Sequence, residues 1–280
     1  MFVERRHFLR HALATLAVPS LAPAGQAPKP KEGPPSPATA ALPIDVGRWF
    51  RSHGIEGTFV LLAVHDDTTL VHDPARAERE FLPASTFKIA NSLIALETGV
   101  VRDEAEIIKW DGRQRPVPEW NKDQDMRSAL AASTVWFYQE LARRIGERRM
   151  KEWVDRVGYG NRDISGGIDQ FWLRGGLRIT ARQQIDFLRR LQADDLPFSA
   201  RSRRIVKDIL VLDRTDTWVL RGKTGLAGVG GSAVGWFVGW VERADRTWIF
   251  ASNMEIKEDI DLRKTLPLQI LAELGLIDAR

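Results

Sequence analysis

The sequence has no cysteine, few tyrosines and histidines, and no long apolar run. Of 280 residues, none is Cys, two are Tyr and five are His. The absence of cysteine excludes disulfides, thiol nucleophiles, thiolate zinc sites and lipoprotein anchoring. Beyond the N-terminus, no stretch approaches the roughly 18 apolar residues that a membrane-spanning helix needs. With 44% hydrophobic and 28% charged residues, the composition is that of an ordinary soluble globular protein.

The sequence also lacks a large excess of charge of one sign. The net charge is only +4, and both signs are interspersed along the chain. This balance gives no argument for a nucleic-acid partner. The predicted partner is therefore a small molecule, with no stable membrane anchor, and both a monomer and a homodimer remain open.

The N-terminal residues are predicted to be an export signal and a linker. Arg5-Arg6 precedes a modest apolar run and the small-residue site Ala22-Pro23-Ala24, which resembles a twin-arginine signal of residues 1–24. Residues 25–43 are rich in proline, a composition that cannot bury a core and favours a disordered linker. The expected location is therefore the periplasm, with one catalytic domain at residues 44–280.

The folded part shows strand patterns at both ends and helical patterns between them. Predicted strands are Gly57–Val64, Thr68–His72, Thr217–Leu220, Ser232–Val241 and Thr247–Asn253. Predicted helices are Phe87–Glu97, Trp136–Ile145, Ala181–Leu191 and Leu262–Leu274. This order predicts an α+β fold: one antiparallel sheet built from both termini, flanked by helices, with a helical insert and a site at the seam.

Gly222-Lys223-Thr224 has the form of the end of a phosphate-binding loop. Such a loop needs a second glycine five residues before the Gly-Lys pair, so that backbone N–H groups surround the phosphates. Thr217 stands at that position, and the residues after Thr224 favour a turn and a strand rather than a helix. The phosphate-loop interpretation fails, so Lys223 is expected to face another anion.

Ser85 and Lys88 form the most informative pair. If a helix begins at Ser85, Lys88 lies one turn along, within reach of the serine oxygen. The histidines that remain after residue 24 are His53, His65 and His72. All precede Ser85 and no Gly-x-Ser-x-Gly elbow exists, which disfavours an imidazole base. The predicted base is an amine, which must be neutralised by burial or neighbouring charges because its ordinary pKa is about 10.4.

Two more motifs accompany this pair, Ser133-Thr134-Val135 and Lys223-Thr224-Gly225. Together the three resemble the motifs of the penicillin-recognising serine acyltransferases, which comprise D,D-peptidases and serine β-lactamases. Within that superfamily the chain is similar to the class D β-lactamases, or oxacillinases, from about Arg48 to Leu276. Further strings similar to that family are Trp110-Asp-Gly, Trp120-Asn-Lys-Asp, Tyr138-Gln-Glu, Tyr159-Gly160-Asn161, Phe171-Trp-Leu173 and Gly235-Trp-Phe-Val-Gly-Trp240.

The resemblance implies a β-lactamase/transpeptidase-like fold and hydrolysis of the β-lactam amide of penicillins, oxacillin-type ones included. It implies that Ser85 is the nucleophile of an acyl-enzyme, and that CO2 converts Lys88 to N-carboxylysine, the general base of acylation and deacylation. Val135 and Trp172 are implied to line the apolar pocket, with the Trp172 indole N–H donating to the carbamate. Ser133 is implied to pass a proton to the leaving nitrogen.

The resemblance also assigns the groups that bind anions. The backbone N–H groups of Ser85 and Leu226 are implied to form the oxyanion hole. The implied substrate-binding residues, which face the β-lactam carboxylate, are Lys223, Thr224, Gly225 and Arg263. For Arg263, a surface arginine at the start of the last helix is the alternative. No metal or other cofactor is implied besides CO2 or bicarbonate.

Other interpretations share these motifs. A β-lactam sensor domain stays acylated and usually follows a multi-span membrane segment. A D,D-peptidase usually carries Asn where this chain has Val135. Rapid turnover separates a β-lactamase from both. For Tyr159-Gly160-Asn161, a turn that shapes the pocket wall is as plausible as a catalytic role.

Overall fold

The computed structural model of the protein describes residues 39–40, 44–228 and 233–279. Its seven strands are β1 (Thr39–Ala40), β2 (Gly57–Ala63), β3 (Thr68–His72), β4 (Val211–Arg214), β5 (Trp218–Ala227), β6 (Ala233–Arg243) and β7 (Arg246–Ile256). They form one sheet in the order β1-β3-β2-β7-β6-β5-β4. All neighbours are antiparallel except β1 and β3. Because β2 pairs with β7, the sheet is built from both ends of the chain, which confirms the predicted α+β fold.

The helices lie between and after these strands. They are α1 (Gly47–Ser52), α2 (Pro74–Ala77), α3 (Lys88–Glu97), α4 (Met126–Ala131), α5 (Val135–Ile145), α6 (Glu147–Val157), α7 (Ala181–Gln192), α8 (Ala200–Ile209) and α9 (Leu262–Glu273). Two 3₁₀ turns, Ala84–Phe87 and Pro118–Trp120, carry residues of the motifs. Among the described helices, none is long and apolar enough to cross a membrane.

Side chains alternate between the two faces of the sheet, and each face has its own core. Val60 and Val238 belong to the core shared with the helical insert and α7. Phe59 and Phe237, their neighbours in sequence, belong to the core that α1 and α9 cover. The site therefore forms where the edge of β5 meets the helices of the first core.

Four predicted helices and the first hairpin are present, with differences at the ends. The clearest difference is β5, which continues without a break through Lys223 to Ala227. The strand pattern ended at Leu220, and only the family resemblance implied a strand edge at Lys223-Thr224-Gly225. Pairing with β6 along this whole length outweighs the low strand propensity of Gly222 and Gly225. The predicted export signal lies outside the described residues. So does most of the predicted linker, of which Thr39–Ala40 pairs with β3.

Candidate active site

Ser85 lies in a 3₁₀ turn rather than at the start of an α-helix. The turn spans Ala84–Phe87, and α3 begins at Lys88. Lys88 Nζ nevertheless donates a hydrogen bond of 2.6 Å to Ser85 Oγ, because residues three apart stand above one another in such a turn. Ala84 has φ of +47°, a strained value for a residue with a side chain. The predicted contact between Ser85 and Lys88 is therefore present, on a turn held in a costly conformation.

The Lys88 amine is enclosed by the core. Its side chain is 1% exposed, and Nζ lies 5.4 Å from the centroid of the Tyr138 ring. Burial, followed by the positive charge of Lys223, holds the pKa of Lys88 well below 10.5. A proton on this amine is costly in such surroundings. Lys88 is therefore set up as an uncharged nitrogen beside a serine hydroxyl.

Ser133 and Lys223 meet although they lie far apart in sequence. Lys223 Nζ donates to Ser133 Oγ at 3.0 Å and to the Thr224 carbonyl at 3.0 Å. Ser133 occupies the short turn between α4 and α5 and has φ of +54°. The second and third motifs are thus joined directly, on the same side of the sheet as Ser85.

Positive charge is concentrated at this end of β5. Burial, followed by the charges of Arg263 and Lys264, lowers the pKa of Lys223 to about 7. Arg263 packs closely against β6. A Cβ atom added to Gly235 would lie 2.7 Å from the Cβ atom of Arg263. Its Nη1 donates to the Ile260 carbonyl, and its Nε has no partner among the described residues. These cations create a field that suits an anionic substrate group.

β5 passes the Ser85 turn at van der Waals distance. A Cβ on Gly225 would lie 3.1 Å from the Pro83 carbonyl oxygen and 3.2 Å from Thr86 Cγ2, so a larger residue would push the turn away. Gly222 N–H donates to Leu210 on the side of β4. Since N–H groups alternate sides along a strand, the N–H of Leu226 also points away from β6. This orientation is the one required of an oxyanion-hole donor.

Trp172 is fully buried beneath the Ser85 turn. Its carbonyl accepts a 3.0 Å hydrogen bond from Ala84 N, and its ring stacks on Phe87 with centroids 5.5 Å apart. The indole Nε1 has no hydrogen-bond partner among the described residues. A buried donor without an acceptor is costly, by about 1–3 kcal/mol. Val135, at the start of α5, is partly buried.

Tyr159-Gly160-Asn161 forms a structural turn. Gly160 has φ of +54°, and the Asn161 side chain accepts from Arg178 N at 3.0 Å and donates to the Gly176 carbonyl at 3.0 Å. Tyr159 packs edge-on against Phe87. The contacts support the wall-shaping interpretation of this segment.

We expect Gly160→Ala to lower the free energy of unfolding by about 2–4 kcal/mol, and the melting temperature by about 5–15 °C. The added Cβ would lie 2.0 Å from the Arg178 carbonyl oxygen, in addition to the cost of positive φ. Gly99→Ala is the matched control, because Gly99 has φ of +68° and nothing within 4 Å of the added Cβ. Thermal unfolding of both variants checks this, and equal losses would contradict it.

Sequence reasoning missed a buried polar chain under the nucleophile. Gln184 Nε2 donates to Thr86 Oγ1 at 2.8 Å, and Thr86 Oγ1 donates to the Pro83 carbonyl at 2.7 Å. The Tyr159 hydroxyl lies near Thr86 and Gln184 but makes no hydrogen bond of good geometry, and burial raises its pKa. Helical spacing from Gln184 to Leu188 on the buried face of α7 was the available signal.

The chain can now be compared with known proteins. Residues 60–271 match the Transpeptidase family, described as the penicillin binding protein transpeptidase domain. β-Lactamase OXA-10 of Pseudomonas aeruginosa is 42% identical over 233 residues, 81% of this chain and 88% of that protein. β-Lactamase OXA-48 of Klebsiella pneumoniae is 43% identical over 226 residues, 80% of this chain and 85% of that protein. A crystal structure of the class D β-lactamase YbXI from Nostoc has a TM-score of 0.81 at 45% identity, covering 84% of this chain and 100% of that one. This chain is a class D β-lactamase.

The identification confirms the family that the sequence motifs predicted. As a class D β-lactamase the protein is a serine hydrolase that acts on cyclic amides. In the described part of the chain, no group of three or more His, Asp or Glu side chains is arranged to hold a metal ion.

Proposed function

We propose that this class D β-lactamase hydrolyses penicillins, oxacillin-type ones included, through an acyl-enzyme on Ser85, with N-carboxylated Lys88 as the general base. The observation that carries the proposal is the buried Lys88 amine, 2.6 Å from Ser85 Oγ, with its pKa held well below the ordinary value. A lysine in this state is a nucleophile toward CO2 as well as a proton acceptor.

The surroundings of Lys88 fit a carbamate. Burial, followed by the charge of Lys223, lowers the pKa of Lys88 and so favours the unprotonated amine that the reaction with CO2 requires. Trp172 offers a buried indole N–H that has no other acceptor among the described residues. Val135 and Phe87 contribute apolar surface that keeps the pocket dry. A carbamate at this position supplies a general base that also accepts the Trp172 hydrogen bond.

The protein groups have distinct tasks in acylation. Ser85 Oγ attacks the β-lactam carbonyl carbon, and its proton passes to the base at position 88. The N–H groups of Ser85 and Leu226 stabilise the negative charge on the carbonyl oxygen. As the C–N bond breaks, Ser133 Oγ donates a proton to the leaving nitrogen, and the ammonium of Lys223, 3.0 Å away, replaces it. Before deacylation, the proton gained by the base at position 88 returns to Lys223, which has lost one. The base then takes a proton from the water that attacks the ester and passes it to the departing Ser85 Oγ.

The cationic end of β5 binds the substrate carboxylate in this proposal. Lys223, Thr224 and Arg263 face one side of the site, with Gly225 leaving room for the ligand and the turn. Binding of a carboxylate favours the charged form of Lys223. In this proposal the substrate carboxylate balances the positive charges of Lys223 and Arg263, which lie close enough for Arg263 to lower the pKa of Lys223.

The proposed place of action is the periplasm. Residues 1–24 have the twin-arginine pattern and a cleavage site after Ala24, ahead of the proline-rich residues 25–43. N-terminal sequencing of the protein from a bacterial periplasmic fraction tests this assignment. A full-length chain retained with cytoplasmic markers would contradict it.

Bicarbonate is expected to stimulate turnover of nitrocefin and oxacillin by the purified enzyme. In CO2-depleted buffer below neutral pH, the Lys88 amine takes up a proton and loses its carbamate, so the rate falls several-fold. Added bicarbonate restores it, and chloride at equal ionic strength does not. Full activity in CO2-free buffer, unchanged by bicarbonate, would contradict the role of the carbamate.

Intact mass after the same time course separates the alternative functions. Sustained turnover that ends with Ser85 unmodified supports hydrolysis. One burst followed by a stable adduct on Ser85 would instead indicate a sensor or a penicillin-binding protein.

A further inference from the structure

Two tryptophan indoles connect the 3₁₀ turn at Pro118–Trp120 to the turn that carries Ser133. Trp120 Nε1 donates to the carbonyl of Ala132 at 2.9 Å. Trp136 Nε1 donates to the carbonyl of Trp120 at 2.8 Å. Trp120 therefore bonds on one side to the residue before Ser133 and on the other to a residue one helical turn after Ala132. We call this pair of hydrogen bonds the indole clasp.

The Ser133 turn needs such support. Ser133 has φ of +54°, which a residue with a side chain adopts only when its surroundings enforce it. From α4 the turn receives the bonds Ser133 N to Leu130 O at 3.2 Å and Thr134 N to Ala129 O at 2.8 Å. The indole clasp adds a hydrogen bond to the carbonyl of Ala132, the residue before Ser133. Both sets of bonds fix the direction in which the Ser133 hydroxyl points.

The segment around Trp120 is itself well anchored. Asn121 Oδ1 accepts from Arg115 N at 2.8 Å, and its Nδ2 donates to the Arg115 carbonyl at 2.9 Å. The buried Gln124 donates through Nε2 to the Glu119 carbonyl at 2.6 Å. The Arg115 guanidinium also lies 5.5 Å from the centroid of the Trp136 ring. Because the segment around Trp120 is held by these contacts, the hydrogen bond from Trp120 can stabilise the strained turn at Ser133.

We propose that Trp120 is a positioning residue for Ser133, acting through the indole clasp. The inference rests on the proposed role of Ser133 in proton transfer. Ser133 Oγ must stay within reach of Lys223 and of the leaving nitrogen, and small displacements at such a site cost large factors in rate. Acylation is the step in which that proton moves, so acylation is the step that the clasp supports.

A double-mutant cycle tests the proposal. The variants are Trp120→Phe, Ser133→Ala and the two combined, with acylation and deacylation of benzylpenicillin measured separately by stopped flow. Phenylalanine keeps the ring but loses the N–H. We expect Trp120→Phe to slow acylation about three- to tenfold, as the loss of one net hydrogen bond allows, with little change in deacylation. In the Ser133→Ala background the same change should have no further effect.

The controls distinguish positioning from general support. Trp49→Phe also removes an indole hydrogen bond, to Glu273 Oε2 at 3.0 Å on α9, and should leave acylation unchanged. If Trp120→Phe does not fold, Trp136→Phe breaks the other bond of the clasp and takes its place in the cycle. An equal loss from Trp120→Phe with and without Ser133 would overturn the inference and leave the proposed function intact. Normal acylation by Ser133→Ala would overturn the role of Ser133 and the inference with it.

Discussion

Lys88→Ala should lose turnover by a factor on the order of 10³, with a penicillin adduct persisting on Ser85. The variant lacks the Lys88 nitrogen, which lies 2.6 Å from Ser85 Oγ. It therefore also lacks any general base that forms on that nitrogen. Acylation retains the help of β-lactam ring strain, the oxyanion donors and Ser133, whereas hydrolysis of the unstrained ester depends on a base to activate water. The imbalance should make the acyl-enzyme visible by intact mass.

The measurement combines steady-state oxacillin hydrolysis with intact mass taken over an hour after mixing. Lys151→Ala serves as the control, because Lys151 lies on the surface of α6 in an ion pair with Asp155. Truncation of Lys88 removes the desolvation cost of a buried amine but leaves a cavity in the core, so thermal unfolding is measured to check that the variant is folded at the assay temperature. Turnover within tenfold of the parent would contradict the assignment of Lys88 as the base.

Trp172→Phe should slow deacylation about 10- to 100-fold, and in CO2-depleted buffer, where no carbamate accepts the indole hydrogen bond, it should leave the melting temperature unchanged or slightly raised. The indole N–H has no acceptor among the described residues, so its removal relieves a buried unsatisfied donor. A charge-assisted hydrogen bond to a carbamate contributes about 1.5–3 kcal/mol, and its loss gives the expected factor. The bicarbonate concentration for half-maximal activity should also rise.

Trp240→Phe is the matched control. Trp240 is equally buried, but its Nε1 already donates to Glu242 Oε1 at 2.9 Å. Its replacement should lower the melting temperature and leave the ratio of acylation to deacylation as it was. A Trp172→Phe enzyme that loses stability, yet keeps its bicarbonate dependence and deacylation rate, would show that this indole only packs the core.

The sequence predicted the contact between Ser85 and Lys88 but not the geometry of the turn that carries them. The three-residue spacing from Ser85 to Lys88 brings the two side chains together in a 3₁₀ turn as well as in an α-helix. The predicted contact is therefore present, although the predicted α-helix at Ser85 is wrong. The length of β5 was underestimated because glycines lower strand propensity and only the pairing with β6 compensates. Local patterns therefore predicted contacts within one turn, but not those created by the sheet.

Contacts between distant segments could not be read from the sequence. The bond from Lys223 to Ser133 joins residues 90 positions apart. Gln183 and Gln184 are identical neighbours, yet Gln183 caps α7 through Thr180 while Gln184 is buried against Thr86. Which glutamine faces the core follows from the helical stripe. That the buried one meets the nucleophile turn depends on where α7 packs, which the sequence leaves open.

The pairing of β2 with β7 has a consequence for how the enzyme is made. The pair extends from Gly57 with Met254 to Ala63 with Trp248, so a ribosome must release almost the entire chain before the sheet can close. Contacts this distant in sequence form slowly. Ser85 is synthesised well before Lys223, so the pocket around Ser85 cannot form until the later strands have been made. In the proposed mechanism, Ser85 is therefore activated only after the strand that carries Lys223 and the strand that pairs with β2 have been made.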